Sequence, residues 1–266
     1  MRNLDAINPP FARPSSLISL GAMLPLLLSL CCTALPIGAA PDVAVADNPI
    51  ALFCLAICVV SAVMVAIPRM FKWDWRAGYF GVTGFYLLSM ALTGLIPLLC
   101  VLVYGGAPVL VKILLLAINT AILVWWGWRC VPMYRKIFAN SEMRDKIYHE
   151  DTDCFYYYKQ GDRMVLDKVF KFSDFPSAAV IVLSFALAFG MMFYARALVA
   201  FLGVPIPHIF LLSAAISLEM IGVGAAVRGW MIYYHYPRQL KRQTGKMVYV
   251  DMVTKSSKVD LPKAMG

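Results

Sequence analysis

Polar chain is what this sequence has least of. Only 15% of its 266 residues are charged, three are histidine, and 61% are hydrophobic. Soluble domains carry about 25% charged residues, so little chain is left for a large soluble domain. No P-loop, GxGxxG, HExxH or GxSxG stands in a suitable context, which removes the usual signatures of nucleotide binding, zinc proteolysis and serine hydrolysis. No Cys-x-x-Cys pair occurs, and the seven cysteines are odd in number. Neither a disulfide framework nor a zinc site is expected from such a set. Cys31, Cys32, Cys54, Cys58 and Cys100 fall in apolar runs, where cysteine behaves as a small apolar residue. Short alternating segments are lacking too, which excludes a β-barrel.

What is present is apolar sequence gathered into long runs, with a mean hydropathy of +0.72. Runs this long read as membrane spans, and in a bilayer without water they must be helical. Six are expected: 17–38, 50–68, 79–104, 109–128, 177–202 and 208–227. The first resembles a signal peptide, because Ala44-Val45-Ala46 precedes Asp47. The site lies several residues beyond the run, which favours an uncleaved helix.

Charge orients these spans. Every Lys and Arg except Lys112 and Arg196 falls in the N-terminal tail, in 69–78, in 129–176 or from Arg228 onward. The loops at 39–49, 105–108 and 203–207 have none. This asymmetry places both termini in the cytoplasm of an inner (plasma) membrane protein. It also accounts for the net charge of +9 without nucleic acid, and predicts attraction to anionic lipids at the cytoplasmic face.

Arg129–Pro176 is the one long polar segment between apolar runs. Met133, Ile137, Phe138, Met143 and Ile147 predict a helix over 129–150 that continues the fourth span, bent near Pro132. Glu142 and Lys146 form an i,i+4 pair within it. Cys154–Lys159 and Arg163–Val169 flank Gln160-Gly161-Asp162 and predict a hairpin. Lys246–Thr254 is the natural third strand, since an isolated hairpin is marginal in water. Residues 161–167 also echo 245–251 faintly, which hints at a repeat of 79–170 in 177–256.

The expected fold is therefore an all-α, six-transmembrane-helix bundle with a small cytoplasmic helix-plus-β-hairpin appendage joined by a C-terminal strand. Its parts are 1–128, with the N-terminal tail and four spans; 129–176, with the cytoplasmic helix and hairpin; 177–227, with two spans; and 228–266, a basic tail holding strand 246–254.

No catalytic, cofactor-binding or metal residue is expected. Intramembrane Glu219 is costly to bury, and Arg196 is its nearest cation by sequence. The turn at 203–207 sets Arg196 about 10 Å deep and Glu219 about 18 Å deep. They form a candidate polar site, read first as a packing pair and second as an ion pathway. Lys112 should snorkel outward. His208 and His235 read as interfacial packing residues, and Ser213, Ser217, Gly222 and Gly224 as a close helix contact. His149, Glu150, Asp151, Asp153 and Cys154 match no zinc spacing and read as a solvated acidic turn that attracts a nearby Lys or Arg. Phe155, Tyr156, Tyr157, Tyr158 and Arg163 form the candidate partner-docking surface. The function expected is that of a non-enzymatic inner-membrane protein working through a protein partner or homo-oligomer. An accessory subunit of a secretion or conjugation complex and an immunity protein are examples. A small transporter or channel using Glu219 and Arg196 is the alternative, and a lipid-modifying enzyme the third.

Overall fold

Uncharged runs rich in Leu, Ile, Val and Ala close their own backbone hydrogen bonds by coiling. The computed structural model describes residues 15–71, 76–79, 85–158 and 175–251 and is mostly helical. Helices α1 (Ser15–Cys32) and α2 (Ala34–Ala39) are followed by α3 (Pro49–Met70). A 3-10 stretch, Phe85–Ala91, leads into α4 (Leu92–Tyr104). The long α5 (Val109–Ala139) and the short α6 (Ser141–Ile147) come next. After two strands follow α7 (Ala178–Phe193), α8 (Ala195–Leu202), α9 (Ile206–Ala214) and α10 (Ile216–Gly229). A π-helical turn, Trp230–His235, passes into α11 (Tyr236–Thr244).

Among the described residues, α5 is the one helix long and apolar enough to cross a membrane unaided. Its 31 residues extend about 46 Å, against about 30 Å of hydrocarbon. Two further candidates arise if each bent pair counts as one span: α7 with α8, bent by 87°, and α9 with the helix beyond it, bent by 50°. The remaining apolar helices are shorter. By length and composition the described helices thus supply one to three crossings. Pro25 and Pro97 each remove an amide inside a helix, and Tyr194 and Ala215 mark the two bends.

The loops gather into two ends. At one, buried Asn48 ties three elements together. Its Oδ1 accepts from the backbone N–H groups of Ile50 and Ala51 at 3.2 and 3.0 Å and from the Tyr104 hydroxyl at 2.8 Å. Its Nδ2 donates to the Pro36 carbonyl at 3.0 Å. Nearby, the Gly106 N–H donates to the Leu202 carbonyl at 3.0 Å. Gly203 has φ +70°, and a Cβ there would lie 2.5 Å from the Gly106 nitrogen, so this turn needs glycine on both counts.

At the other end lies a three-stranded sheet in the order β1-β2-β3, with β1 Tyr148–Glu150, β2 Cys154–Tyr158 and β3 Met247–Asp251. β1 and β2 run antiparallel, with Tyr148 opposite Tyr157. β2 and β3 run parallel, with Tyr157 opposite Val250, which the helical crossover between them permits. Arg76 bridges to Tyr249 on the outer side of β3. Tyr148, Tyr157, Val248 and Val250 pack on Ile137, Ile147, Ile232 and Tyr236, making one core shared by the sheet and the helix ends. Each fully buried large side chain contributes about 1.5–3 kcal/mol.

The sheet differs from expectation in its first strand. Tyr148–Glu150 is strand, not the end of a helix over 129–150. Asn140 breaks that helix and caps the next one, its Oδ1 accepting from the Met143 N–H at 3.3 Å. Tyr148 then turns inward and its hydroxyl donates to the Ile232 carbonyl. The hairpin turn is Asp151–Asp153, closed by the Asp151 N–H on the Cys154 carbonyl at 2.8 Å. The expected partner strand, 163–169, lies outside the described residues, as does the 161–167 stretch of the faint echo.

Candidate functional site

Among the described residues, Glu219 is the one buried acidic side chain. Its side chain sits in the first turn of α10, just past the bend at Ala215, and the residue is 1% exposed. A carboxylate there meets the positive end of the helix dipole. Asn119 of α5 approaches it, Nδ2 to Oε1 at 3.4 Å. Gly94 of α4 makes room for it: a Cβ at that position would lie 2.3 Å from Oε1 and 2.5 Å from Cδ. Three helices therefore contribute, one with the acid, one with an amide and one with an absent side chain.

Arg196 is not part of this arrangement. It is exposed on α8 and forms no ion pair with Glu219. The reason is the 87° bend at Tyr194, which swings α8 out of line with α7. Depth counted along one straight helix does not survive such a bend. Lys112 also departs from expectation. Rather than snorkelling, its Nζ donates to the Leu102 carbonyl at 3.0 Å, closing a backbone acceptor at the end of α4.

His208 is buried, and its Nε2 donates to the Leu35 carbonyl at 3.0 Å. Only a protonated ring nitrogen can meet a carbonyl in this way, so the contact selects the tautomer. It fastens α9 to α2. Ser213, Ser217, Gly222 and Gly224 are all buried, consistent with close helix packing.

The strand read as a docking surface is largely interior. Phe155 and Tyr157 are 6% and 0% exposed, and Tyr156 is half-buried. The physical cause is that β2 is the central strand, so both its edges are paired and its alternate side chains enter the core. The side chain of Tyr158 and the whole of Arg163 lie outside the described residues. The Tyr157 hydroxyl meets that of Tyr233 at 3.2 Å. Together with the Tyr148 contact to Ile232, this locks the sheet onto the π-helical turn, where widened spacing frees backbone carbonyls.

The acidic turn holds a lysine, as its charge suggests. Lys246 donates to Glu150 Oε1 at 2.7 Å and to the Asp151 carbonyl at 2.8 Å. No group of three or more metal-capable side chains converges among the described residues. The Cys154 thiol is pushed up, chiefly by burial. Burial likewise pushes the Tyr236 phenol up to about 12, opposed by nearby Arg135. Tyr249 is raised by burial and partly restored by Arg76. Lys146 bonds Glu142 at 2.7 Å and holds its carboxyl below the usual range.

Two adjoining cavities follow α11 on this face. One, of about 310 Å³, is lined by Arg135, Arg144, His235, Gln239 and Gln243. The other, of about 450 Å³, lies against β1 and includes Asp145, His149 and Glu150. Neither is lined by Glu219. Arg135 and Asn119 carry no motif that a sequence reading could single out. Gly94 is equally silent, because its role is defined by a neighbour on another helix. Comparison with protein-family models, curated proteins and solved structures returned no match.

Proposed function

We propose that this chain is a six-span, non-enzymatic membrane protein that works through protein contacts made by its cytoplasmic end. One observation carries the reading. The stretches that charge assigns to a single side come together in space, with Arg76 on β3, β1 and β2 on β3, and Tyr148 on the turn after α10. The loops assigned to the opposite side also meet one another, through Asn48 with Tyr104 and Gly106 with Leu202. Such sorting is what six crossings require. The outward side chains of α7, and those of α5 from Val109 to Trp128 apart from Thr120, are apolar, Phe193 being 89% exposed, as a lipid contact demands. A folded unit clamped to the helix ends suits a docking platform, as in an accessory subunit of a membrane-embedded secretion or conjugation complex, or an immunity protein.

Thiols added at Ala44 and at Ser141 test the arrangement. In sealed, oriented vesicles an impermeant reagent should label Ala44→Cys from one side and Ser141→Cys from the other, judged against the unmodified chain. Labelling of both from the same side would refute six crossings. Photo-crosslinking residues placed at His149 and Gln243 test the contact role in cells. A discrete adduct is expected, and a monomer band alone at both positions removes the docking function.

A second reading, a small transporter or channel, rests on Glu219. A buried carboxylate with one long hydrogen bond is an expensive feature. Flux in liposomes that Glu219→Gln abolishes would support it, and flux unchanged by that substitution would end it. Arg196 plays no part in this version.

A further inference from the structure

The two cavities along α11 share Arg144, Leu240 and Gln243 but differ in charge. The one against β1 has Asp145 and Glu150 on its wall. The other presents Arg135, Arg144, His235, Gln239 and Gln243 and no carboxylate. Gln239 and Gln243 are four apart and share one face of α11, and His235, the last residue of the π-helical turn, lines the same cavity. All five side chains can donate hydrogen bonds, and two are permanently charged. Arg135 is exposed and pairs with no carboxylate among the described residues. Arg144 spends its Nε on Asp145 at 3.1 Å, which leaves its terminal nitrogens free to point elsewhere, and an exposed pair of this kind holds weakly. Buried Tyr236 and Leu240 form an apolar floor. The site is flanked by the π-helical turn that ends at His235, a feature that recurs at functional sites.

Depth adds a second argument. Arg129 lies over the rings of Trp125 and Trp126, with its Cζ 5.7 and 5.4 Å from their centroids. Such an aromatic and basic group marks the membrane–water boundary. Arg135 stands about 9 Å further along α5, just past a headgroup layer roughly 5–8 Å deep on each side. The cavity therefore opens at the outer, aqueous edge of the headgroups, where a lipid phosphate and a soluble one can both reach it.

We propose that this cavity binds a phosphomonoester anion, whose oxygens take donors from Arg135 and Arg144 while the helix-face residues close over it. A lipid headgroup and a soluble phosphate ester share this chemistry. The depth argument rests on the six-span reading, whereas the recognition of the anion does not.

The full chain in detergent provides the test. Native mass spectrometry should show retention of phosphatidic acid over phosphatidylcholine. The double variant Arg135→Gln, Arg144→Gln should lose at least about tenfold of that retention. The double variant Lys136→Gln, Lys241→Gln removes two nearby charges that do not line the cavity, and it should retain the lipid as before. Equal losses in both variants would mean diffuse charge attraction and overturn the site. Displacement of the lipid by glycerol 3-phosphate would identify a soluble ester as sufficient, and lack of displacement would assign the site to lipid. If the native chain binds neither probe, the proposal fails. Should the arginine variant lose its near-ultraviolet circular dichroism, His235→Ala and Gln239→Ala, both on exposed positions, replace it with the same expected loss. Micelle binding does not depend on how often the chain crosses a bilayer, so the site and the topology fail separately.

Discussion

At Gly94 the absence of a side chain decides where Glu219 lies. A Cβ there would overlap Oε1 and Cδ of the carboxylate, and a residue 1% exposed has little room to withdraw. Gly94→Ala should cost about 1–3 kcal/mol in thermal unfolding of the detergent-solubilised protein. In a Glu219→Ala background the same change should cost much less, because the clash is gone. Equal costs in both backgrounds would show that the two residues are not coupled. Tyr236 makes a second statement at this scale. Its phenol is neutral when folded and held up to about 12 by burial, against an ordinary value near 10. A raised acid stabilises the fold fully below pH 10, and that contribution is lost as pH rises through 12. Alkaline titration followed by tyrosinate absorbance should show a late-ionising component, together with loss of near-ultraviolet circular dichroism. Tyr236→Phe should reduce that component by one phenol, leaving the raised Tyr249.

Among the elements, the second helix run illustrates what a loop residue can hold. Asn48 caps α3 and also reaches α2 and α4 through Pro36 and Tyr104. Asn48→Ala leaves several buried partners unsatisfied and should destabilise by about 2 kcal/mol or more, read as a fall in Tm. The β3 strand is the corresponding element at the other end. Val250 is wholly buried opposite Tyr157. Val250→Asp places a charge in that core, costs about 3 kcal/mol or more, and should expose the chain after Lys246 to limited proteolysis while α5 stays protected. Helix and strand types were legible from pattern alone for α5, β2 and β3, where periodicity is long or aromatic. The break at Asn140 and the strand at Tyr148 were not. The strand depends on Tyr148 gaining the Ile232 carbonyl, a contact 84 residues along the chain, and the ring of Tyr157.

Across the whole molecule, two clusters of loops sit at opposite ends of an apolar body. The charge rule foresees that sorting, because insertion acts on Lys and Arg in short loops before any packing exists. The candidate polar site was half legible. A carboxylate in an apolar run announces itself, but its partner is Asn119 on another helix, not Arg196, which the bend at Tyr194 carries away. The aromatic strand was legible as a strand, but the burial of Phe155 and Tyr157 was not, since only pairing on both edges makes β2 central. Composition and hydropathy thus determined by themselves that the chain is built largely of apolar helices and that the tail supplies a strand. Those properties follow from local chemistry and from a period of two or 3.6. The tertiary structure alone decided where helices bend, which polar groups meet and which aromatic residues are buried. Each of these is settled by competition among distant side chains for the same small interior, and no local pattern records the outcome.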